Sequence, residues 1–205
     1  MQSYDVIVVG AGGAGMMCAL EASKRGRSVV LIDQAQKIGS KILISGGGRC
    51  NFTNVGASPE NYISQNPHFC RSALSRYAAA DFIALVEKHG IAYHEKKLGQ
   101  LFCDGSARQI LQMLVSECQE SGVEFQGATR IKSISKTEKG FHVQTSRGEQ
   151  IATSLVIATG GLSIPKVGAT GFGYDLAKQF GLKIVPCAPA LDGFVFAEKL
   201  SRQMD

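Results

Sequence analysis

Tyr4-Asp5-Val6-Ile7-Val8-Val9-Gly10-Ala11-Gly12-Gly13-Ala14-Gly15 decides the fold of this chain. Tyr4–Val9 is a short apolar run rich in β-branched residues, the pattern of a strand buried in a parallel sheet. The glycines follow at once in the order G-x-G-x-x-G. Residues 16–25 then read as a helix, and Ser28–Ile32 as a second strand ending at Asp33. Strand, glycine turn, helix and strand in succession are the context that gives this motif meaning. Gly10 allows the tight turn out of the strand, Gly12 bares backbone to a pyrophosphate, and Gly15 lets the helix pack closely on the sheet. The helix N-terminus, with Ala11, Gly13 and Ala14 around it, offers N–H groups and a partial positive charge to the phosphates. Asp33 stands eighteen positions after Gly15, near the roughly 20 expected of the acid that accepts from a ribose hydroxyl. A carboxylate there favours an unphosphorylated 2′-OH, hence FAD or NAD over NADP. The bland alternative is a glycine-rich turn with no ligand; the strands, helix and acid in register argue against it.

Gln34–Asn54 is the second informative stretch. Gly46-Gly47-Gly48 sits uncomfortably in any helix or strand and predicts a backbone-exposing loop. Lys41 and Arg49 bracket it with positive charge, and Ser45, Asn51, Thr53 and Asn54 add neutral polar groups. Such a loop can wrap phosphates and set N–H groups against a polar ring edge. A plain surface loop is the competing reading; three glycines with cationic flanks favour a ligand contact.

At these residues a resemblance becomes specific. GSKILISGGGRCNFTN (residues 39–54) after a GxGxxG strand–helix resembles the signature of the HI0933-like flavoproteins, a family of NAD(P)/FAD-dependent oxidoreductases. Residues 66–104 and Ile157-Ala158-Thr159-Gly160-Gly161-Leu162-Ser163 resemble the gammaproteobacterial branch of the family. The resemblance covers essentially the whole chain. It implies an α/β fold of the Rossmann-like, two-dinucleotide-binding (glutathione-reductase) type, with a β-meander in its FAD domain. Residues 1–185 would form that domain and 186–205 the start of a substrate domain. Family members are longer, so the chain is expected to be an N-terminal portion lacking the segment that returns against the flavin. On that expectation it holds FAD weakly by itself and leaves an apolar face uncovered.

The rest of the chain fits this frame. Ser72–Tyr77 and Asp81–His89 read as helices, with Asp81 as a cap and Gly90 as a stop. Ala92–His94 and Gln100–Phe102 read as short strands around a Leu98-Gly99 turn. Ser106–Glu120 is amphipathic, with Ile110, Leu111, Leu114, Val115 and Cys118 on one face. Residues 129–136, 141–146 and 150–158 read as a three-stranded meander. In folds like this one the first meander strand passes the adenine, which makes Ile131 a candidate backbone contact. Leu155–Gly161 reads as another buried strand entering a glycine turn. Ligands bind at such strand ends, and the resemblance places Ala158, Thr159, Gly160 and Gly161 near the dinucleotide. Gly168–Gly173 has the order GxxGxG with no strand before it, so it is no second fingerprint; the resemblance puts it on the substrate side of the sheet, near the flavin. Ile184 to Phe196 resembles the crossing into the substrate domain.

Composition bounds the alternatives. A 44% hydrophobic, 19% charged chain of 205 residues can bury a real core. A net charge of +5 permits an anionic partner such as RNA without demanding one. Six cysteines with no C-x-x-C spacing suggest reduced thiols in a cytoplasmic protein. No metal site and no membrane span are expected.

The leading functional reading is a flavin-dependent reductase drawing hydride from NAD(P)H. The resemblance implies reduction of a conjugated C=C bond in a small molecule or a nucleobase, including uridine to dihydrouridine in 23S ribosomal RNA. Cys50 is the candidate proton donor, because a thiol beside the flavin can act as an acid; a small buried packing residue is an equal reading. A non-catalytic FAD- or NAD-binding module or redox sensor, and a flavin amine oxidase, are the alternatives.

Overall fold

β1 (Gln2–Val9) lies inside a six-stranded sheet, with a parallel neighbour on each side. The computed structural model describes residues 1–188. After β1 come α1 (Gly13–Ser23), β2 (Val29–Ile32), α2 (Ser40–Ile44), β3 (Asn51–Asn54), α3 (Arg71–Arg76), α4 (Ala79–Lys88), β4 (Tyr93–Glu95) and β5 (Gln100–Cys103). α5 (Ala107–Glu120), β6 (Glu124–Gln126), β7 (Ile131–Thr137), β8 (Gly140–Thr145), β9 (Gly148–Ile157) and α6 (Phe172–Gln179) follow. The chain divides into a unit spanning Met1–Gly173 and a second beginning at Tyr174.

The large sheet has the order β6-β2-β1-β9-β8-β7. β1 pairs parallel with β2, Val6 opposite Val29, and with β9, Val6 opposite Ser154. β6 extends the parallel set beyond β2, and β7, β8 and β9 form the antiparallel meander. The meander's third strand and the strand entering the Thr159 turn are therefore one element. Ile7, Val8, Val30 and Ile32 are fully buried, each worth about 1.5–3 kcal/mol of transfer free energy. α1 and α5 pack together, and Met16, Leu20, Ile110, Met113 and Cys118 join Val8 and Leu31 in one cluster. The far end of β9 is less enclosed than its apolar run predicts: Ile157 is 38% exposed.

A second sheet, β3-β5-β4, is antiparallel. The sequence reading treats 34–54 as a loop and misses both α2 and β3. Tertiary pairing makes the strand: Phe52 meets the Tyr93 ring edge-on at 5.5 Å and the Phe82 ring of α4 at 6.1 Å. The hairpin joining β4 to β5 turns at Leu98 and Gly99, both with positive φ, as a type I′ turn demands.

Helix ends follow local chemistry. Ser106 caps α5, its hydroxyl accepting from the Arg108 N–H while Gln109 accepts from the Ser106 N–H. Asp81 is not the cap of α4; it sits in the first turn and accepts from the Ala78 N–H at 2.7 Å. Glu117 of α5, 3% exposed, ties three helical segments together. It accepts from Lys88 Nζ at 2.5 Å and Lys24 Nζ at 3.2 Å, with His89 Nε2 at 2.9 Å. These partners hold its carboxyl down at about 2, Lys88 and then His89 contributing most.

In the second unit, the helical turns end at Gly181, whose φ of +75° suits a helix stop. Of the stretch expected to cross into a substrate domain, residues 184–188 fall within this unit, and Pro189 to Phe196 lie outside the described residues.

Candidate dinucleotide site

The glycine turn shows why each residue type is required. Gly10 leaves β1 with φ +106°, and a Cβ on it would stand 2.5 Å from the Ala158 carbonyl oxygen. Two strand ends can lie side by side there only because one of them is bare. A Cβ on Gly15 would overlap the Gly10 carbonyl oxygen, so the helix could not seat. Gly12 is the opposite case: nothing lies within 4 Å of a Cβ built on it. Gly12 is also the N-cap of α1, with no side-chain cap and no acid in the first turn. The first-turn N–H groups thus lack intrahelical partners beside open space, which is an anion-binding arrangement.

Asp33 closes the other side. Its Oδ2 accepts from the Ala11 N–H at 2.7 Å and its Oδ1 from the Ala35 N–H at 2.8 Å. A carboxylate has about four acceptor positions, so two remain for sugar hydroxyls. The Asp33 carbonyl accepts from the Thr129 N–H at 2.9 Å, which holds the segment leading into β7 against the end of β2. These elements border a cleft of about 490 Å³, within the range of coenzyme pockets. The cleft thus fits an adenine dinucleotide: bare backbone, an uncapped helix start and a half-buried acid.

Most of the residues expected at the site line this cleft: Gly10 to Ala14, Asp33, Lys41, Ile131 and Ala158 to Gly160. Gly15 lies beneath it, buried. Gly161 is beside it, its carbonyl 3.5 Å from Lys41 Nζ, which also reaches Ser163 Oγ at 3.2 Å. Ser45 to Asn51 do not line it. Ser45–Gly48 form a tight turn directly after α2, and a Cβ on Gly46 would stand 2.7 Å from the Phe102 ring. Cys50 is 6% exposed, and burial pushes its thiol up, partly offset by a hydrogen bond with Ser45. Arg49 is exposed. Asn51, with its amide oriented to donate, reaches the Leu101 and Thr53 carbonyls at 3.2 and 3.0 Å.

Thr129 was not anticipated; Gly168, Ala169, Thr170 and Phe172, from the loop that the resemblance puts near the flavin, also border the cleft. Among the described residues no group of three His, Cys, Asp or Glu could hold a metal ion, and no helix is long and apolar enough to cross a membrane.

Parallel strands with a ligand cleft at their carboxyl ends, a glycine turn and a terminal acid define a Rossmann-type dinucleotide-binding domain. The chain belongs to the family described as HI0933-like protein Rossmann domain, which matches residues 4–204. It is 52% identical over 204 residues to a ribosomal RNA dihydrouridine synthase of Escherichia coli, covering 100% of this chain and 51% of that one. A protein of the same name from Haemophilus influenzae is 48% identical over 201 residues, covering 96% and 50%. A 3-dehydro-bile acid delta(4,6)-reductase of Clostridium scindens is 27% identical over 187 residues, covering 90% and 46%. The chain thus spans about half the length of these relatives. Among solved structures, glycine oxidase from Geobacillus kaustophilus superposes with a TM-score of 0.63 at 18% identity, over 89% of this chain and 60% of that one. The open form of a flavocytochrome c3 fumarate reductase gives 0.62 at 23%, over 87% and 40%. These two likenesses are of fold.

Proposed function

We propose that the full-length protein is an FAD-dependent reductase of conjugated C=C bonds, acting on uridine in 23S ribosomal RNA to give dihydrouridine. One pairing carries this reading: an open dinucleotide cleft in a chain 52% identical to a ribosomal RNA dihydrouridine synthase. The Clostridium scindens relative is likewise a reductase by name. Asp33 accepts from the ribose hydroxyls, the first turn of α1 donates to the pyrophosphate, and Lys41 adds positive charge at the cleft wall. Gly12 admits the phosphates to the backbone. FAD held there would supply two-electron redox chemistry to the site, with NAD(P)H as the reductant. A uracil C5=C6 bond, conjugated to the C4 carbonyl, accepts hydride at C6 and then needs a proton at C5. The base must be unstacked or splayed out of the RNA to be reached, and a chain of net charge +5 suits a polyanionic partner. Such an enzyme works in the cytoplasm.

The test is the dihydrouridine content of 23S ribosomal RNA from cells lacking the full-length protein. The modification disappears and returns with the wild-type gene, but not with Asp33→Ala. An unchanged content in the deleted strain refutes the assignment.

A further inference from the structure

We propose that His94, oriented by Asp104, is the general acid that protonates the reduced alkene; this rests on the reductase reading above. His94 lies in β4 and Asp104 just past β5, with His94 Nδ1 2.6 Å from Asp104 Oδ1. A carboxylate only accepts, so Nδ1 carries the hydrogen of that bond and Nε2 is the ring's second nitrogen. Among the described residues Nε2 has no hydrogen-bond partner. The imidazole stacks on Phe102, its cross-strand neighbour, at 6.4 Å and 19°. The carboxylate holds the Nδ1–H and the aromatic plane holds the ring, so the proton that Nε2 carries in the imidazolium form is aimed outward, and 42% of the side chain is still exposed.

The place of the pair in the fold singles it out. Phe102 packs against Gly46 of the glycine turn. That turn follows α2 directly, and α2 carries Lys41 into the cleft wall. One short segment therefore joins the coenzyme cleft to the face that carries His94. The other histidines are less apt. His89 is committed to Glu117, His142 stands 3.6 Å from Glu149 on the meander, and His68 has no carboxylate partner among the described residues. Cys50, the candidate from sequence, is enclosed. The charged groups on the His94 face are Asp104 and Lys96, whose Nζ lies 5.2 Å over the Phe102 ring. Glu95 is occupied by the Gly99 N–H, and Arg49 follows directly after the glycine turn.

The alkene gains a hydride at its β-carbon, its π pair shifts to the α-carbon, and the imidazolium Nε2–H passes its proton there. The electrons come from NAD(P)H by way of the flavin, and the imidazole regains a proton from solvent.

The experiment uses full-length, FAD-loaded wild type, His94→Gln and Asp104→Asn, with each half-reaction followed separately by rapid mixing. Reduction by NAD(P)H keeps its rate in all three. Reoxidation by a uridine-containing ribosomal RNA fragment falls roughly 100-fold or more in His94→Gln, and the wild-type decline in that rate at alkaline pH vanishes. Imidazole NMR of the unreacted protein shows the Nδ1–H form in wild type and a mixture in Asp104→Asn. If His94→Gln is reoxidised at the wild-type rate across pH, the proposal falls while the reductase reading stands. If wild type itself is not reoxidised by the RNA, both fall.

Discussion

Gly12 and Gly15 are three residues apart in one motif, yet alanine should do different damage at each. At Gly12 the backbone has φ −89°, open to any residue, and an added methyl meets no atom within 4 Å. The fold loses at most about 1 kcal/mol, because alanine is a poorer N-cap than glycine. The methyl instead occupies the space through which a phosphate would reach the backbone. Losing one charge-assisted hydrogen bond costs about 1.5–3 kcal/mol, a coenzyme affinity weaker by roughly 10- to 150-fold. At Gly15 the methyl overlaps the Gly10 carbonyl oxygen, a backbone atom that cannot rotate aside. Overpacking of that kind costs about 1–3 kcal/mol, and about 2 kcal/mol lowers Tm by roughly 4–8 °C in a domain of this size. The assay is thermal unfolding of the coenzyme-free full-length variants, followed by titration with FAD using flavin fluorescence. Gly12→Ala should melt near wild type and bind poorly; Gly15→Ala should melt early. A Gly12→Ala protein that binds within twofold of wild type, or a Gly15→Ala protein with unchanged Tm, would break the assignment of phosphate contact and helix seating to these positions.

Two further perturbations test the acids. Asp33→Asn keeps one acceptor oxygen but sets an NH2 against the Ala11 or Ala35 N–H, so urea unfolding should show a loss of about 1–3 kcal/mol, with FAD affinity down roughly tenfold; equal stability would mean those two bonds do not constrain the turn. Glu117, held at about 2 in the fold by Lys88, His89 and Lys24, titrates nearer 4.5 once unfolded. Because the folded value is the lower one, its stabilisation is complete above pH 4.5 and is lost as pH falls from there toward 2. The lysine partners are 47% and 63% exposed, so screening leaves about 1–2 kcal/mol for Glu117→Gln. The difference between wild type and variant should shrink on acidification; a gap constant from pH 7 to 3 would show that the carboxylate's charge is not what matters.

The dinucleotide cleft was legible because it is made of backbone. Bare glycines, a helix start and a strand end are fixed by residue type and spacing, so Gly10, Gly12, Gly15 and Asp33 could be placed from sequence alone. Cleft residues contributed by distant segments were not. Thr129 reaches the cleft because its N–H bonds the Asp33 carbonyl, and Ala128 before it has φ +51°; no local pattern announces either. Gly46–Gly48 are the converse case. Their composition promised a phosphate loop, but their positive φ values serve a tight turn under Phe102. Glycine reports that backbone must come close to something, not what that something is.

The His94–Asp104 pair lies between these cases. The Leu98-Gly99 turn marks a hairpin but not its register: a two-residue loop would set His94 opposite Cys103, whereas His94 pairs with Phe102. Side chains alternate along a strand, so Asp104, two residues beyond Phe102, returns to the face that His94 occupies. The partnership therefore depends on a one-residue offset in the hairpin that counting from the turn does not give. Nor could counting supply the closeness of the glycine turn, which depends on β3 pairing with β5 across a bulge between Asn51 and Thr53. That pairing sets Gly46 against Phe102. A lengthened turn, with one residue inserted after Gly48, should therefore loosen Phe102 and release the His94 ring without touching the Asp33 end of the cleft. Its signature would be an unchanged FAD affinity with a mobile His94 imidazole in NMR; a ring that stayed fixed would show that the hairpin alone holds it.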